Sequence, residues 1–384
     1  MTLTYDILLI IAVVMMVSAI ITPLLNGFFR IPKSVRNAIN DESQAKELQP
    51  VSIIITPHEN AKELEANLPT FLSQDYPVEY EVIVVAWKGD SETEDILKRY
   101  KDHPRLYSTF IPETSRYMSR KKLAITLGVK AAKNEWLLIT DIECTPLSDQ
   151  WLKTMARNCS DGIDMVYGYT NYDEETSPYR RFERLHTDIY LFREAAKGTA
   201  YRHNSNNLMF RKSLFIGQDG FRGNLKYLRG EYDFMVNKYA QKGRVALELN
   251  HLGWLKEQEP TNKGWRNKHL FYMENRKHLK RSFWHRFIMN LDQLALHFNY
   301  ILILTCALYA IITGNWLLAG VAGAALITTC VLRLIIAKRA LSIFSEDISL
   351  FRIPFYEISL IWNYLSYKIK YIRADKYDFI SHKL

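Results

Sequence analysis

In the stretch "LLITDIECTP", Asp141 and Glu143 stand two positions apart, immediately behind a run of apolar residues that reads as a buried strand. Two carboxylates so placed could serve one site. Hard divalent ions take oxygen ligands, and Mg²⁺ in particular is held by one or two carboxylates together with substrate phosphates. The pair is therefore predicted to bind Mg²⁺ or Mn²⁺, against the plainer reading that it opens a polar loop. A second acidic group, Glu231 and Asp233, lies in "YLRGEYDFMVNKYAQKGRV". Acids there also suit the start of a helix, where the backbone dipole favours negative charge. In "GWRNKHLFYMENRKHLKR", Lys268, Arg276 and Lys277 could bind a diphosphate, since guanidinium forks match phosphate oxygens and an ammonium supplies a point charge. They would equally make a basic collar at a membrane surface.

These residues need a scaffold, and the order of elements around them describes one. "VSIIIT" (51–56) is a β-branched strand, and the segment after it places Leu64, Leu68, Phe71 and Leu72 like the buried stripe of a helix. "YEVIVVAW" is a second strand, and "SETEDILKRY" a second helix with Ser91 as its expected cap and Glu94 at the box position. "RLYSTFIP", then a helix with Leu123, Leu127 and Ala131 on one face, then "WLLITDIE" complete four strand–helix steps. "DMVYGYTNY" reads as a further strand. Such alternation predicts a mostly parallel α/β sheet flanked by helices, with ligands at the carboxyl ends of the strands. Asp141 and Glu143 fall at such an end.

"SRKKLAITLGVKAAKNEWLLITDIECTPLSDQWL" resembles the region of family 2 glycosyltransferases, fold type A (GT-A), that carries a lysine, a glycine-bearing helix and a D-x-D motif. The resemblance covers roughly residues 50 to 280. It implies that Asp141 and Glu143 grip a divalent metal and the diphosphate of a sugar nucleotide, with Lys121 or Lys122 as the base near the donor. The first strand–helix–strand unit resembles the family's opening, which brings Pro57 and Glu59 to the donor side. "GEYDFMVNKYAQKG" is similar to the segment that supplies the catalytic base; Glu231 and Asp233 are both candidates, and Gly230 and Gly243 fit the pattern. "YRHNSNNLMFRKSLF" resembles the acceptor-lining segment, and His203, Asn204, Ser205, Asn206 and Asn207 offer neutral donors and acceptors suited to sugar hydroxyls. The chain departs from the pattern in three places. Ala86 and Trp87 replace the acid that binds the nucleotide base, with Asp90 an approximate substitute. Ile142 is bulkier than the usual alanine, and Tyr232 takes the place of the usual aspartate. The resemblance implies an inverting sugar transferase; the departures support an alternative, a subunit that keeps the fold and regulates an active synthase.

The ends of the chain differ from its middle. Nineteen residues from Ile7 to Leu25 carry no charge, enough for a helix across a bilayer. The flanking bases, Arg30, Lys33 and Arg36, come after this run and not before it, which indicates a retained anchor over a cleaved signal. Two more spans fit near Tyr300–Thr313 and Trp316–Leu332, punctuated by Gly314–Asn315. Lys280, Arg281 and Arg286 precede them, and Arg333, Lys338 and Arg339 follow. The bias of bases toward the cytoplasm predicts an outside N-terminus and an inside central domain and C-terminus. The expected layout is an anchor (1–30), a glycosyltransferase domain (48–285), two spans (293–340) and an interfacial amphipathic helix pair (344–384). The catalytic domain would thus sit at the cytoplasmic face of an inner membrane, with a lipid-linked or polysaccharide acceptor. The net charge of +9 suits an anionic leaflet and a phosphate-bearing substrate. No basic run with interleaved aromatics and no Cys/His spacing points to nucleic acid. The four cysteines are scattered and read as reduced.

Overall fold

The computed structural model describes residues 2–29, 31–41, 47–112, 119–204 and 206–380, so Arg30 and Ser205 lie outside it. It forms two compact units: Met1–Ile31 with Arg281–Ser366, and Pro32–Lys280 with Tyr367–Leu384.

The first unit opens with α1 (Thr2–Leu24), and the second with α2 (Lys33–Ile39). Then come β1 (Val51–Ile55), α3 (Ala61–Leu72), β2 (Tyr80–Trp87), α4 (Ser91–Arg99) and β3 (Leu106–Ile111). The next elements are α5 (Arg120–Ala131), β4 (Trp136–Thr140), β5 (Cys144–Pro146) and α6 (Trp151–Ala156). The expected single strand at "DMVYGYTNY" divides at Tyr169 into β6 (Met165–Gly168) and β7 (Thr170–Tyr172), which join different sheets. After them come α7 (Pro178–Ala196), β8 (Leu208–Arg211), α8 (Lys212–Gly217), α9 (Glu231–Tyr239), β9 (Val245–Glu248), β10 (Leu255–Glu257) and α10 (Asn262–Asn275).

The large sheet has the order β3-β2-β1-β4-β8-β6-β9. It is parallel except at β8, which runs against both β4 and β6. Alternation along the strands feeds two cores. Ile53, Ile55, Val82, Val84 and Leu138 pack with α3, α4 and α6, whereas Ile54, Ile83, Val85, Leu137 and Ile139 pack with α5 and α9. A small sheet, β5-β10-β7, pairs Glu257 with Cys144 on one side and Tyr172 on the other. Because β1, β2 and β4 run parallel in register, the segments after Ile55, Trp87 and Thr140 leave at one edge.

Two local expectations change. The cap of α4 is Asp90, which accepts from Thr93 N at 3.2 Å and from Thr93 Oγ1 at 2.8 Å; Ser91 is the first helical residue. On α5 the buried stripe is Lys122, Ala124, Ile125, Gly128 and Val129, with Leu123, Leu127 and Ala131 only partly covered. A Cβ on Gly128 would stand 2.6 Å from Ile54 Cγ2, so glycine there lets α5 lie close on the sheet. The Lys122 ammonium donates to the carbonyls of Asn224 and Tyr227, with the Phe234 ring 4.8 Å away, and so ties down the loop that leads to α9. Burial pulls its pKa down to about 8.

The first unit resumes with α11 (Phe283–Thr313) and α12 (Trp316–Ile343). With α1 they are long and apolar enough to cross a membrane. Gly314 turns the chain at φ 68°, and the Asn315 side chain caps α12 by accepting from Leu318 N at 3.1 Å. Both helices exceed their expected bounds: α11 starts at Phe283 and takes in Arg286, and α12 continues through Arg333. Small residues line the contact (Ala19, Ala310, Ala322, Ala325), while Leu304, Ile312 and Ile327 face outward. Between the helices, Ser18 Oγ donates to Asn299 Oδ1 (2.9 Å), Asn299 Nδ2 to Thr329 Oγ1 (3.0 Å), and Thr329 Oγ1 to the Ala19 carbonyl (3.2 Å). The C-terminal segment is not a helix pair: α13 (Ile353–Arg373) is one helix between short 3₁₀ turns. Its Glu357 turns inward, accepting from Arg333 Nη1 at 3.1 Å and from Asn26. The cysteines are free.

Two outcomes follow from these buried ions. Glu357→Leu strands the Arg333 charge and destabilises the protein by about 3–5 kcal/mol, whereas the double leucine variant recovers most of that; thermal denaturation in detergent compares them, and a double variant no better than the single one refutes the pairing. For Lys122, the folded chain releases its proton near pH 8 and the unfolded chain near 10.5. The unfolded state binds more protons in that window, so stability rises with pH across it. Lys122→Met removes that increment from melting curves taken at the two ends of the window.

Candidate functional site

The site collects at the edge where β4 ends. Asp141, 9% exposed, follows the strand directly. Lys121 Nζ reaches Oδ1 at 2.6 Å and Oδ2 at 2.7 Å, and the Tyr232 hydroxyl donates to Oδ1 at 3.2 Å. Ile142 points the other way into the core, and Asn67 Nδ2 donates to its carbonyl at 2.7 Å, which is why a bulky residue fits between the acids. Glu143 Oε1 accepts from Asn60 Nδ2 at 3.1 Å. Burial, with repulsion from Asp141 and Glu257, pushes the Glu143 carboxyl up to about 7 although Lys121 pulls it back. Burial alone would lower Lys121; the carboxylates of Asp141 and Glu231 outweigh it and hold the ammonium above its usual range.

Around these acids stand residues that sequence reasoning missed. Glu257, at the end of β10, accepts from Arg184 Nη1 at 2.7 Å and Asn206 Nδ2 at 3.3 Å. The Arg184 guanidinium lies 4.3 Å from the centre of the Tyr172 ring, whose hydroxyl accepts from Lys268 Nζ at 3.1 Å. Arg184 and Lys268 hold Glu257 below its usual range despite burial that would raise it. A three-residue strand carries no readable pattern, so Glu257 had no signal. Arg184 had one: "RRFERLHTDIYLFREAA" is charged along its length, yet most of α7 is buried, and such charges need partners.

The first turn of α9 carries the second acidic group. Gly230 holds φ 94°, and a Cβ there would lie 2.3 Å from Asn275 Nδ2, so only glycine starts the helix here. Glu231, Tyr232 and Asp233 are thereby all buried. Glu231 Oε2 accepts from Gly230 N at 3.1 Å, and its Oε1 has no hydrogen bond among the described residues. Asp233 Oδ1 accepts from Arg202 Nε at 3.1 Å. Burial raises the Asp233 carboxyl, and Arg202 offsets only part of the rise. Arg202 also donates to Asn204 Oδ1 at 3.1 Å and covers the Tyr272 ring at 4.0 Å.

The remaining predicted residues divide. Asn204, Asn206 and Lys268 join this cluster. His203 and Asn207 are absorbed by the fold: His203 Nε2 lies 3.2 Å from the Asn207 carbonyl, and burial keeps the ring neutral, down to about 3. Asn207 Nδ2 donates to the carbonyls of Tyr169 and Gly253 at 3.2 and 2.9 Å, and the absence of a side chain at Gly168 makes room for it. Asp90 is the α4 cap and Lys122 the loop tie, so neither faces Asp141. Arg276 caps the C-terminus of α10, about two turns beyond Lys268, and Lys277 after it pairs with Glu274 at 3.4 Å and meets Tyr371. Pro57 and Glu59 occupy the turn after β1, with Glu59 at φ 61°. Beside them Arg120 stacks over Trp87 at 4.4 Å and reaches His58 Nε2 at 3.1 Å.

Among the described residues no three Asp, Glu, His or Cys side chains form a ready cage for a metal ion. Asp141 and Glu143 nonetheless fit an ion of the Mg²⁺ kind, which ordinarily completes its shell from water and substrate phosphate.

No curated protein matches the chain in sequence. Among solved structures it is similar to a mannosyltransferase from Pyrobaculum calidifontis, PcManGT, in complex with GDP-Man and Mn²⁺, at 18% identity and a TM-score of 0.54 over 85% of this chain and 99% of that one. It is also similar to S. aureus TarS, at 17% identity and a TM-score of 0.43 over 58% of this chain and 38% of that one. The first likeness establishes a glycosyltransferase fold. Residues 11–366, which take in most of both units, match the description "Glycosyl transferase family 21". The chain belongs to glycosyl transferase family 21 and is a glycosyltransferase.

Proposed function

We propose that this enzyme moves a sugar, with inversion, from a nucleoside-diphosphate donor to a hydroxyl of a lipid-linked or polysaccharide acceptor at the cytoplasmic face of an inner membrane. The observation that carries this reading is the convergence of β4 and α9: Tyr232 hydrogen-bonds Asp141, so the donor acids and the α9 acids share one buried corner. The domain is of the GT-A type in this reading. A sugar-nucleotide donor accords with PcManGT, which was captured with GDP-Man and Mn²⁺. The spans, the basic flanks and the net charge favour the membrane placement.

Asp141 and Glu143 would hold a divalent ion, which when bound would supply charge stabilisation to a diphosphate leaving group. Pro57, Glu59, Lys121 and Trp87 line the donor side. Asn204, Asn206 and Arg202 orient the acceptor. Asp233 takes the proton of the attacking hydroxyl as its oxygen bonds to the anomeric carbon; the bond from that carbon to the diphosphate breaks, and its electrons leave with the diphosphate. Burial raises the Asp233 carboxyl toward the range where a general base works best, and Arg202 fixes its orientation. The alternative of a non-catalytic subunit loses support at Tyr232, because that phenol contacts Asp141 where the family's aspartate is absent.

Detergent-purified protein assayed against a panel of nucleotide sugars, with and without Mn²⁺, tests the reading. Metal-dependent release of one nucleoside diphosphate is expected, abolished in Asp141→Asn; no turnover of any donor in the presence of membrane lipids would sink it. Asp233→Asn should lower kcat about 10²–10⁴-fold with KM for the donor nearly unchanged. A loss of that size in Glu231→Gln, with Asp233→Asn near wild type, would move the base to Glu231.

A further inference from the structure

Two facts about Lys121 stand apart from every other ion pair in the site. Its ammonium sits within 2.7 Å of both oxygens of Asp141, the carboxylate proposed to hold the ion. A carboxylate has about four lone-pair positions, and the Tyr232 hydroxyl takes a further one at 3.2 Å. A divalent ion arriving alone therefore meets a carboxylate already neutralised. Lys121 is also the partner able to leave: its side chain keeps 20% of its surface exposed, against 2% for Arg184 and 10% for Arg202, the bases of the neighbouring pairs. Its neighbour Lys122 is bound to two carbonyls and cannot take its place.

We infer that Lys121 is an exchangeable counter-ion, which occupies Asp141 in the free enzyme and passes to the donor's diphosphate when nucleotide and divalent ion enter together. The inference rests on the proposed ion site and adds an order of binding to it. The charges decide the order. A dication alone must evict the ammonium from Asp141 and leave it with only Glu231 to set against the repulsion of Arg229. A diphosphate alone brings negative charge beside Asp141, Glu143 and Glu257. Arriving together, the ion takes Asp141, the ammonium takes phosphate oxygens, and the corner stays balanced. The four-carbon stem of lysine, ending in a compact charge, suits that exchange better than the planar fork of arginine would. Nucleotide and ion thus each raise the other's affinity, as linkage requires.

Mn²⁺ binding to the purified full chain in detergent, followed by electron paramagnetic resonance with no nucleotide and with UDP or GDP, tests this without turnover. In the wild type Mn²⁺ alone binds weakly, and one of the two nucleotides tightens it. In Lys121→Met, Mn²⁺ alone binds about ten-fold tighter, a typical coupling, and the tightening by nucleotide falls by a similar factor. Lys268→Met removes an equal charge nearby, so a comparable gain there would overturn the inference in favour of general electrostatics. Lys121→Met with wild-type Mn²⁺ affinity and undiminished coupling, while Asp141→Asn loses the ion, would overturn it and leave the ion site standing. Mn²⁺ binding indifferent to Asp141→Asn in every state would remove the ion site itself, and the exchange with it.

Discussion

The pairing of buried acids with bases drawn from other elements is the constraint on which the site depends. Asp141 leaves β4 and meets Lys121 from α5; Glu257 ends β10 and meets Arg184 from α7; Asp233 begins α9 and meets Arg202 from the segment before β8. A buried carboxylate without a counter-charge would protonate or expel its element. Each pair therefore fastens two elements that the sheet does not hydrogen-bond together. The charges gathered in the candidate site are thus also the clasps that hold strand ends, α7 and α9 in one place. Glu143 and Glu231 are exceptions, accepting from the Asn60 amide and the Gly230 N–H, and the Glu143 carboxyl is pushed up to about 7.

The sheet makes this crowding possible. Parallel strands in register bring their carboxyl ends to one edge, so turns far apart in sequence face one another. The short sheet β5-β10-β7 extends the edge beyond β4 and brings Glu257 beside the acids. At Tyr169 the chain crosses from one sheet to the other, and Asn207 bonds the Tyr169 carbonyl from within the segment that carries Asn204 and Asn206. The crossing and the polar segment are therefore one construction.

Much of this was legible in the sequence and some was not, for physical reasons. The β-branched runs that became β1, β2 and β4 are long enough for burial on both faces to leave a pattern, and the acids behind β4 stood out against it. The three long apolar helices were equally plain, although Arg286 and Arg333 obscured where they end. Arg333 looked like a flanking base because sequence gives no sign that Glu357, 24 residues later, turns inward to meet it. Glu257 and Arg202 were invisible for the same reason: each owes its role to a partner distant along the chain. The stripe on α5 was misplaced by one position, since Leu123 and Leu127 are more apolar than Gly128, whereas close approach to Ile54 demands the smaller residue.

Adjacent residues of like type repeatedly divide between fold and site. Lys121 meets Asp141 while Lys122 ties down the loop ahead of α9. Asn206 reaches Glu257 while Asn207 braces the Tyr169 carbonyl at the β6–β7 crossing and the Gly253 carbonyl before β10. Successive side chains on a helix or a strand point in different directions, so a doubled polar residue offers one copy to each task. This explains why composition drew attention to these segments without separating their members. A site assembled this way cannot be loosened by half: the residue that braces the backbone fixes where its neighbour's functional group arrives.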